Sequence, residues 1–395
     1  MANEAVGQER PKVSPLNDPA IRGYVFQALL LAVLVLLIIG ATINTSENMR
    51  TRGIPTDFRF WNNVAGFDID DTLIPYSALD TYGRAFWVGL LNTLLVSAVG
   101  IVLATFLGFV LGVARLSRNL VINKLAMAYV EVIRNTPLLL QLLFWYNAML
   151  KPLPEPRQSI AWPGGIFLNN RGIIFPNPQY GPQAGWVVMM FFVGAAAAIL
   201  YATWAHRRQI RTGEQAPVVL VSLGLIIGLP VVAFFVLGQP ISLSFPMLKG
   251  FNFVGGLRVR PERVALVLGL VIYTAAFIAE IVRAGIMAVS RGQSEAAHAL
   301  GLRAGPTLNL VVIPQALRVI IPPLTSQYLN LTKNSSLAVF VGYPDLVQVF
   351  AGTVLNQTGA AVQVMAITML VYLTISLVTS ALMNWYNARK ALVER

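Results

Sequence analysis

The sequence predicts an all-α integral membrane protein of about eight transmembrane helices, and three observations carry that prediction. Hydrophobic residues make up 56% of the 395 positions and charged residues only 12%, against roughly 25% charged in a soluble domain. Apolar windows of about 20 residues, the length that crosses a bilayer, recur along the whole chain. The short connections between them concentrate Lys and Arg on alternate turns, as expected when basic residues collect on the cytoplasmic face.

Residues 1–23 read as a cytoplasmic tail with charge and three prolines. The apolar window at 24–43 is too long for a signal-peptide core and lacks a small-residue cleavage site, so it is expected to stay as a first span. Further windows lie at 86–113, 124–150, 186–205, 217–238, 262–285, 308–330 and 361–385. Arg10, Lys12 and Arg22 precede the first span, Arg115, Arg118 and Lys124 follow the second, and Arg207, Arg208 and Arg211 follow the fourth. Arg283, Arg291 and Arg303, with Arg389, Lys390 and Arg395 at the end, fall on the same side. That side is assigned to the cytoplasm, with both termini and a short tail at 389–395.

The other side receives two long connections, 44–85 with Asp57, Asp68, Asp70, Asp71 and Asp80, and 151–185, rich in Pro and Gly. Arg50, Arg52, Arg59 and Arg84 also lie there, but long loops translocate largely regardless of charge. The net charge of +12 is scattered over these connections and forms no basic patch with aromatic partners, which argues against nucleic acid. With no cysteine and two histidines, disulfide frameworks and thiolate metal sites are excluded. The one low-complexity run, Ala195–Ala198, supplies small residues for helix packing.

Between the sixth and seventh windows the apolar pattern gives way to SEAAHALGLRAG, starting at Ser294. Ser294 suits an N-cap, Glu295 the acid-favouring first turn, and Gly301 a left-handed helix end. The expectation is a cytoplasmic helix of under two turns, too short to stand alone and in need of a partner surface. Ala296, Ala297, Leu300 and Ala304 offer it a small-residue face, and Glu295, His298 and Arg303 a polar one.

The spacing of Glu295, Ala296, Ala297, Gly301 and Pro314 resembles the EAA loop of permease subunits in bacterial ABC importers. EVIRNTPLLLQ from Glu131, AEIVRAGI from Ala279 and LTKNSSLA from Leu331 are similar to the polar amino-acid branch of that family, and the enlarged layout looks most like its general L-amino-acid subgroup. Val311 and Ile313, where the family usually has Ile and Leu, are conservative departures. The resemblance implies an importer transmembrane domain over 86–388, with the second, third, sixth, seventh and eighth spans as a five-helix core. It also implies an insertion at about 151–261 and a coupling loop at 286–306, seated in a groove of a separate ATPase. The implied partners are two ATPase copies, a second, different permease chain and a periplasmic amino-acid-binding protein. ATP and Mg would sit on the ATPase: this chain carries no GxxxxGK[ST] loop and no cofactor of its own is expected.

Polar residues at membrane depth mark either a pathway or a brace. Glu131 with Arg134, and Glu280 with Arg283, have the i,i+3 spacing of structural ion pairs near the cytoplasmic end. Pro137 breaks the third span's hydrogen-bond ladder and leaves Gln141 a turn deeper. Pro314, Pro322 and Pro323 argue against a continuous straight seventh helix, after which come Asn330, Lys333, Asn334 and Ser335. That cluster either contacts a substrate carboxylate through Lys333 or caps the helix. Asn92 either bonds a neighbouring helix or lines the pathway. Two other functions compete with the ATP-driven permease for amino acids: an ion-coupled secondary transporter, for which no inverted repeat is evident, and a membrane enzyme, for which His206 and His298 lack a catalytic cluster.

Overall fold

A stripe of small residues decides how the centre of the molecule packs. In the computed structural model, which describes residues 19–55 and 57–390, α1 spans Pro19–Thr51 and α2 Tyr82–Ala114. Gly100, Ala104, Gly108 and Gly112 recur every four residues on α2, and all are buried. Gly108 and Gly112 meet Ile278 and Val282 of α7 (Pro261–Met287) while Gly100 meets Leu331, so the α2 and α7 backbones approach as they do in bilayer helix pairs, where small residues replace a hydrophobic driving force.

The expected third span is two helices. α3 covers Leu120–Arg134 and α4 Leu138–Leu143, with α4 continuing as a wider π-helical segment, Phe144–Leu150. The break falls at Asn135–Pro137, because Pro137 has no N–H to donate and disfavours helical geometry in the residue before it. Seven helices among the described residues are long and apolar enough to cross a membrane, and this interrupted segment stands in the place of the third window.

α5 (Ala184–Thr212) and α6 (Val218–Val236) form a hairpin, and no residue of α6 is buried. The connections around it contain short strands that apolar patterning did not reveal. β1 (Ile160–Trp162), β2 (Ile166–Asn169), β3 (Gly172–Phe175) and β4 (Asn177–Tyr180) precede the hairpin. β5 (Ile241–Ser244), β6 (Met247–Lys249), β7 (Asn252–Val254) and β8 (Leu257–Val259) follow it. β1, β2, β3 and β8 make one antiparallel sheet in that order, while β4–β5 and β6–β7 pair separately. Gly172, at φ +114°, lets β3 meet β8: a Cβ there would lie 2.0 Å from the Val259 carbonyl oxygen.

Beyond α7 come α8 (Arg291–Ala299), α9 (Ala304–Thr307), a π turn at Leu308–Val312 and α10 (Ile313–Asn334). α10 corrects one expectation, since it is continuous through Pro322 and Pro323. The irregularity is displaced to its two ends, the π turn before Pro314 and a 3-10 turn at Ser335–Phe340. A π segment, Val347–Val354, runs into α11 (Leu355–Thr358), and α12 (Ala361–Lys390) ends the described chain.

The core lies among α2, α4, α7 and α10, with Leu142, Leu266, Leu270, Ile278, Ile320 and Leu331 buried together. A second cluster joins the loop before α2 to α12 through Phe60, Phe86, Phe350 and Val364. α1 and α12 reach further than expected, taking residues 44–51 and 389–390 from the connections assigned there. Arg10, Lys12 and Arg395 lie outside the described residues.

Candidate functional site

α8 and its exit form the first candidate. The helix starts four residues earlier than expected: Ser290, in a non-helical conformation, precedes it, so Ser294 and Glu295 lie inside nine helical residues instead of at the first turn. The other end closes on Gly301 at φ +80°, with Gly301 N–H donating to His298 O at 2.9 Å and Leu302 N–H to Ala297 O at 3.1 Å. This pair of bonds is the Schellman closure, which uses glycine because an L side chain is strained there. Ala297 is buried against the fold, whereas Glu295, Ala296 and Ala304 are exposed and Leu300 is 84% exposed. Gln293 accepts from Gln315 Nε2 at 3.2 Å, tying α8 to α10 just past Pro314.

Behind α8 stands a charged brace. Glu280 accepts from Arg283 Nε at 3.2 Å and also pairs with Arg115, the residue closing α2. Glu131 and Arg134 do not form the expected pair. Arg134 turns its guanidinium over the Phe277 ring at 5.2 Å, and Glu131 has no ion partner among the described residues.

The pathway candidates separate by environment. Gln141 is buried, and its Nε2 donates to Ile133 O and Thr136 O, both at 3.0 Å, spanning the α3–α4 break. Ser335 is buried and donates to Thr332 O at 2.8 Å. Lys333 borders an open groove of about 410 Å³ with Ser336, Thr368, Tyr372 and Ser376. Asn330 is exposed and Asn334 half-buried on the same end of α10. Asn92 is wholly buried and donates to Asp71 O at 2.7 Å and Pro344 O at 2.9 Å.

The structure also assembles a polar site that the sequence did not reveal, at the end of α7 away from α8. Arg263 forms a half-buried pair with Asp71, and Arg260 donates to Asp70 Oδ2 at 2.8 Å. Burial pushes the Asp71 carboxyl up, against the pull of Arg263. Burial also holds the Tyr343 phenol above its usual range. Asp345, fully buried, caps the helical segment after it by accepting from Gln348 N at 2.8 Å, and burial raises it to about 7 despite that bond. The partners in the first two pairs are about 190 positions apart; the only local signal was a run of acids before α2 and of arginines before α7. Among the described residues no group of three or more His, Asp or Glu is placed to hold a metal ion.

Residues 100–392 match the family described as binding-protein-dependent transport system inner membrane component. The putative amino-acid ABC transporter permease protein YhdX of Escherichia coli is 51% identical over 380 residues, 96% of each chain. The general L-amino acid transport system permease protein AapQ of Rhizobium johnstonii is 48% identical over 382 residues, 97% of this chain and 95% of its own. The glutamate/glutamine/aspartate/asparagine permease protein BztB of Rhodobacter capsulatus is 41% identical over 427 residues, 99% and 100% of the two chains. A solved structure described as an amino acid ABC transporter with histidines aligns over 78% of this chain and 95% of its own, at 22% identity and a TM-score of 0.47. From the family match and full-length relatives at this identity, the chain belongs to the binding-protein-dependent transport system inner membrane components, the permease subunits of ABC importers.

Proposed function

We propose that this chain is a translocation subunit of an ATP-driven importer of polar L-amino acids in the inner membrane, with both termini in the cytoplasm. It works with two copies of a separate ATPase, a second and different permease chain, and a periplasmic amino-acid-binding protein. The observation that carries this reading is α8: an apolar tip, Ala296 and Leu300, held out from the fold by a closed helix end while Ala297 anchors it. The basic connections on the same side support a cytoplasmic position for that tip. An ATPase groove that takes Glu295, Ala296, Ala297 and Gly301 would pass its movement through Pro314 into α10 and, across the Arg115–Glu280–Arg283 brace, into α2 and α7.

Amino acids as cargo are supported by the printed functions of the relatives. Asn330, Lys333 and Asn334 are proposed to face the pathway, with Lys333 as a point charge for a carboxylate. Gln141 and Ser335 act behind that wall, as their backbone bonds suggest. The ion-coupled alternative gains nothing from the family match and is not retained.

The cysteine-free sequence makes a clean test. Leu300→Cys in inverted vesicles should react with an impermeant maleimide, and the copurified ATPase should protect it. Labelling from outside intact cells, or uptake that persists without any ATPase, would overturn the reading.

A further inference from the structure

We propose that the cavity between the loop before α2, the start of α7 and the 341–354 segment is a reception site for a free zwitterionic amino acid on this permease chain. The cavity encloses about 260 Å³, just below the roughly 300–1,000 Å³ of sites for drug-sized ligands, and so suits a molecule of amino-acid size. Asp68, Asp70, Asp71, Arg260, Glu262 and Gln348 contribute to its wall.

Its polar groups are incompletely used. Asp70 gives one oxygen to Arg260, Asp68 gives one to the Ala78 N–H at 2.9 Å, and Glu262 gives one to the Tyr146 hydroxyl at 2.8 Å. The second oxygen of each has no partner among the described residues, and an α-ammonium group brings three N–H donors. Arg260 spends one Nη on Asp70 and keeps its other guanidinium nitrogens for a carboxylate, the geometry in which arginine binds bidentately.

The two ion pairs divide the work. Arg263–Asp71 is sheltered, at 18% and 12% side-chain exposure, and stacks near the Tyr343 ring as a fixed floor. Arg260–Asp70 is open, at 35% and 71%, and an ion pair in contact with water holds its partners weakly. A zwitterion can therefore take over both charges by exchange: its carboxylate replaces Asp70 on Arg260, and its ammonium takes the released Asp70. No charge is left unpaired. Four carboxylates, Asp68, Asp70, Asp71 and Glu262, line the cavity with Arg260, and Arg263 is already paired with Asp71, so a second negative charge on the ligand is repelled and a neutral side chain accepted.

The inference rests on the proposed permease function, which places this cavity at the outer mouth where a binding protein would release its cargo. The test uses the full chain purified with its partner subunits in nanodiscs, without binding protein or ATP. Radiolabelled L-glutamine should bind saturably, with L-glutamate weaker by at least about tenfold. Arg260→Gln and Asp70→Asn should each weaken glutamine binding at least about tenfold. Because either substitution can disturb folding, Gln348→Cys supplies a second readout: glutamine should slow alkylation of the introduced thiol, measured on this chain by mass spectrometry. Unchanged alkylation, or full binding in both charge variants, would overturn the site. ATP-dependent uptake by the unaltered complex, measured in parallel, separates the two failures: uptake with no protection sinks only this cavity, whereas no uptake sinks the permease reading.

Discussion

Gly112 of α2 lies against Val282 of α7 with no room for a side chain: a Cβ on Gly112 would fall 2.7 Å from Val282 Cβ and 2.8 Å from the Ala279 carbonyl oxygen. The second contact is backbone, so a rotamer change cannot relieve it. Gly112→Ala should force α2 and α7 apart and lower stability by about 1–3 kcal/mol, the usual cost of overpacking. Gly40→Ala in α1, where nothing lies within 4 Å of the added methyl, should be neutral or stabilise by up to about 1 kcal/mol through the unfolded chain. Thermal unfolding of both variants in the same nanodiscs decides between packing and propensity: equal shifts would mean the α2–α7 approach is not as close as described.

The long helices were legible because a window of apolar residues at bilayer length has few other uses. Gly301 was legible for a different reason, since a glycine directly after an alanine-rich helix is the standard sign of a left-handed end. The break between α3 and α4 was half-hidden, because Asn135, Thr136 and Pro137 are too few to interrupt a hydropathy window. Strands of three or four residues, such as β1 and β7, are shorter than any reliable alternation. The Arg263–Asp71 pair was out of reach altogether, because charge composition says nothing about which of many acids a folded chain brings to one arginine. Glu131 and Arg134 show the converse error: correct spacing on a helix does not hold two side chains together when an aromatic ring, Phe277, offers the cation a better-shaped partner.

At Gly301 the obstacle to substitution is conformational only, with φ +80° and no atom within 4 Å of an added Cβ. Gly301→Val should cost about 1–2 kcal/mol locally, freeing the end of α8 without altering the transmembrane core. Gly301→Asn, which tolerates the left-handed region, should recover most of the loss. In the reconstituted complex, the valine variant is expected to keep ATPase activity while uptake per ATP falls severalfold. Normal uptake would mean that the α8 exit carries no coupling.

Asp345 predicts a pH dependence with a definite sign. The unfolded chain releases this proton near 3.8, whereas burial holds it in the folded protein up to about 7. Between those values the folded state binds more protons, so stability falls as pH rises from about 4 to about 7 and then levels off. Asp345→Asn keeps an acceptor for the Gln348 N–H and removes the titration. It should raise the melting temperature near neutral pH, where wild type has lost most of the contribution, and flatten that part of the pH profile. Parallel profiles for the two proteins would rule Asp345 out as the titrating group.

Gln141 distinguishes a brace from a substrate contact. Its Nε2 bonds to the Ile133 and Thr136 carbonyls bridge the break at Pro137, and Gln141→Leu strands the Thr136 carbonyl, while Ile133 O keeps its bond from Thr136 N–H, at a cost of about 1–3 kcal/mol. As a brace, its loss should reduce uptake of glutamine, asparagine and alanine by a common factor, together with a lower melting temperature. A KM change confined to one amino acid would instead put Gln141 on the pathway surface.

The carboxylate of Glu280 sits between Arg115 at the end of α2 and Arg283 on its own helix, so it joins the two central helices immediately ahead of α8. Removing it leaves two partly buried guanidinium groups facing each other, and Glu280→Gln should destabilise by about 1–3 kcal/mol, less than for a fully buried ion because water reaches the site. Arg115→Gln alone should cost less, since Arg283 still neutralises the acid. The double variant should therefore fall short of the sum, because the second substitution removes a charge the first had already stranded. If the brace also transmits movement from α8, the Arg115 variant will lose uptake out of proportion to its modest change in melting temperature, while the ATPase rate stays near that of wild type. Additive melting shifts in the three proteins would show instead that Glu280 and Arg115 are not coupled, and that the α2–α7 pair moves without this link.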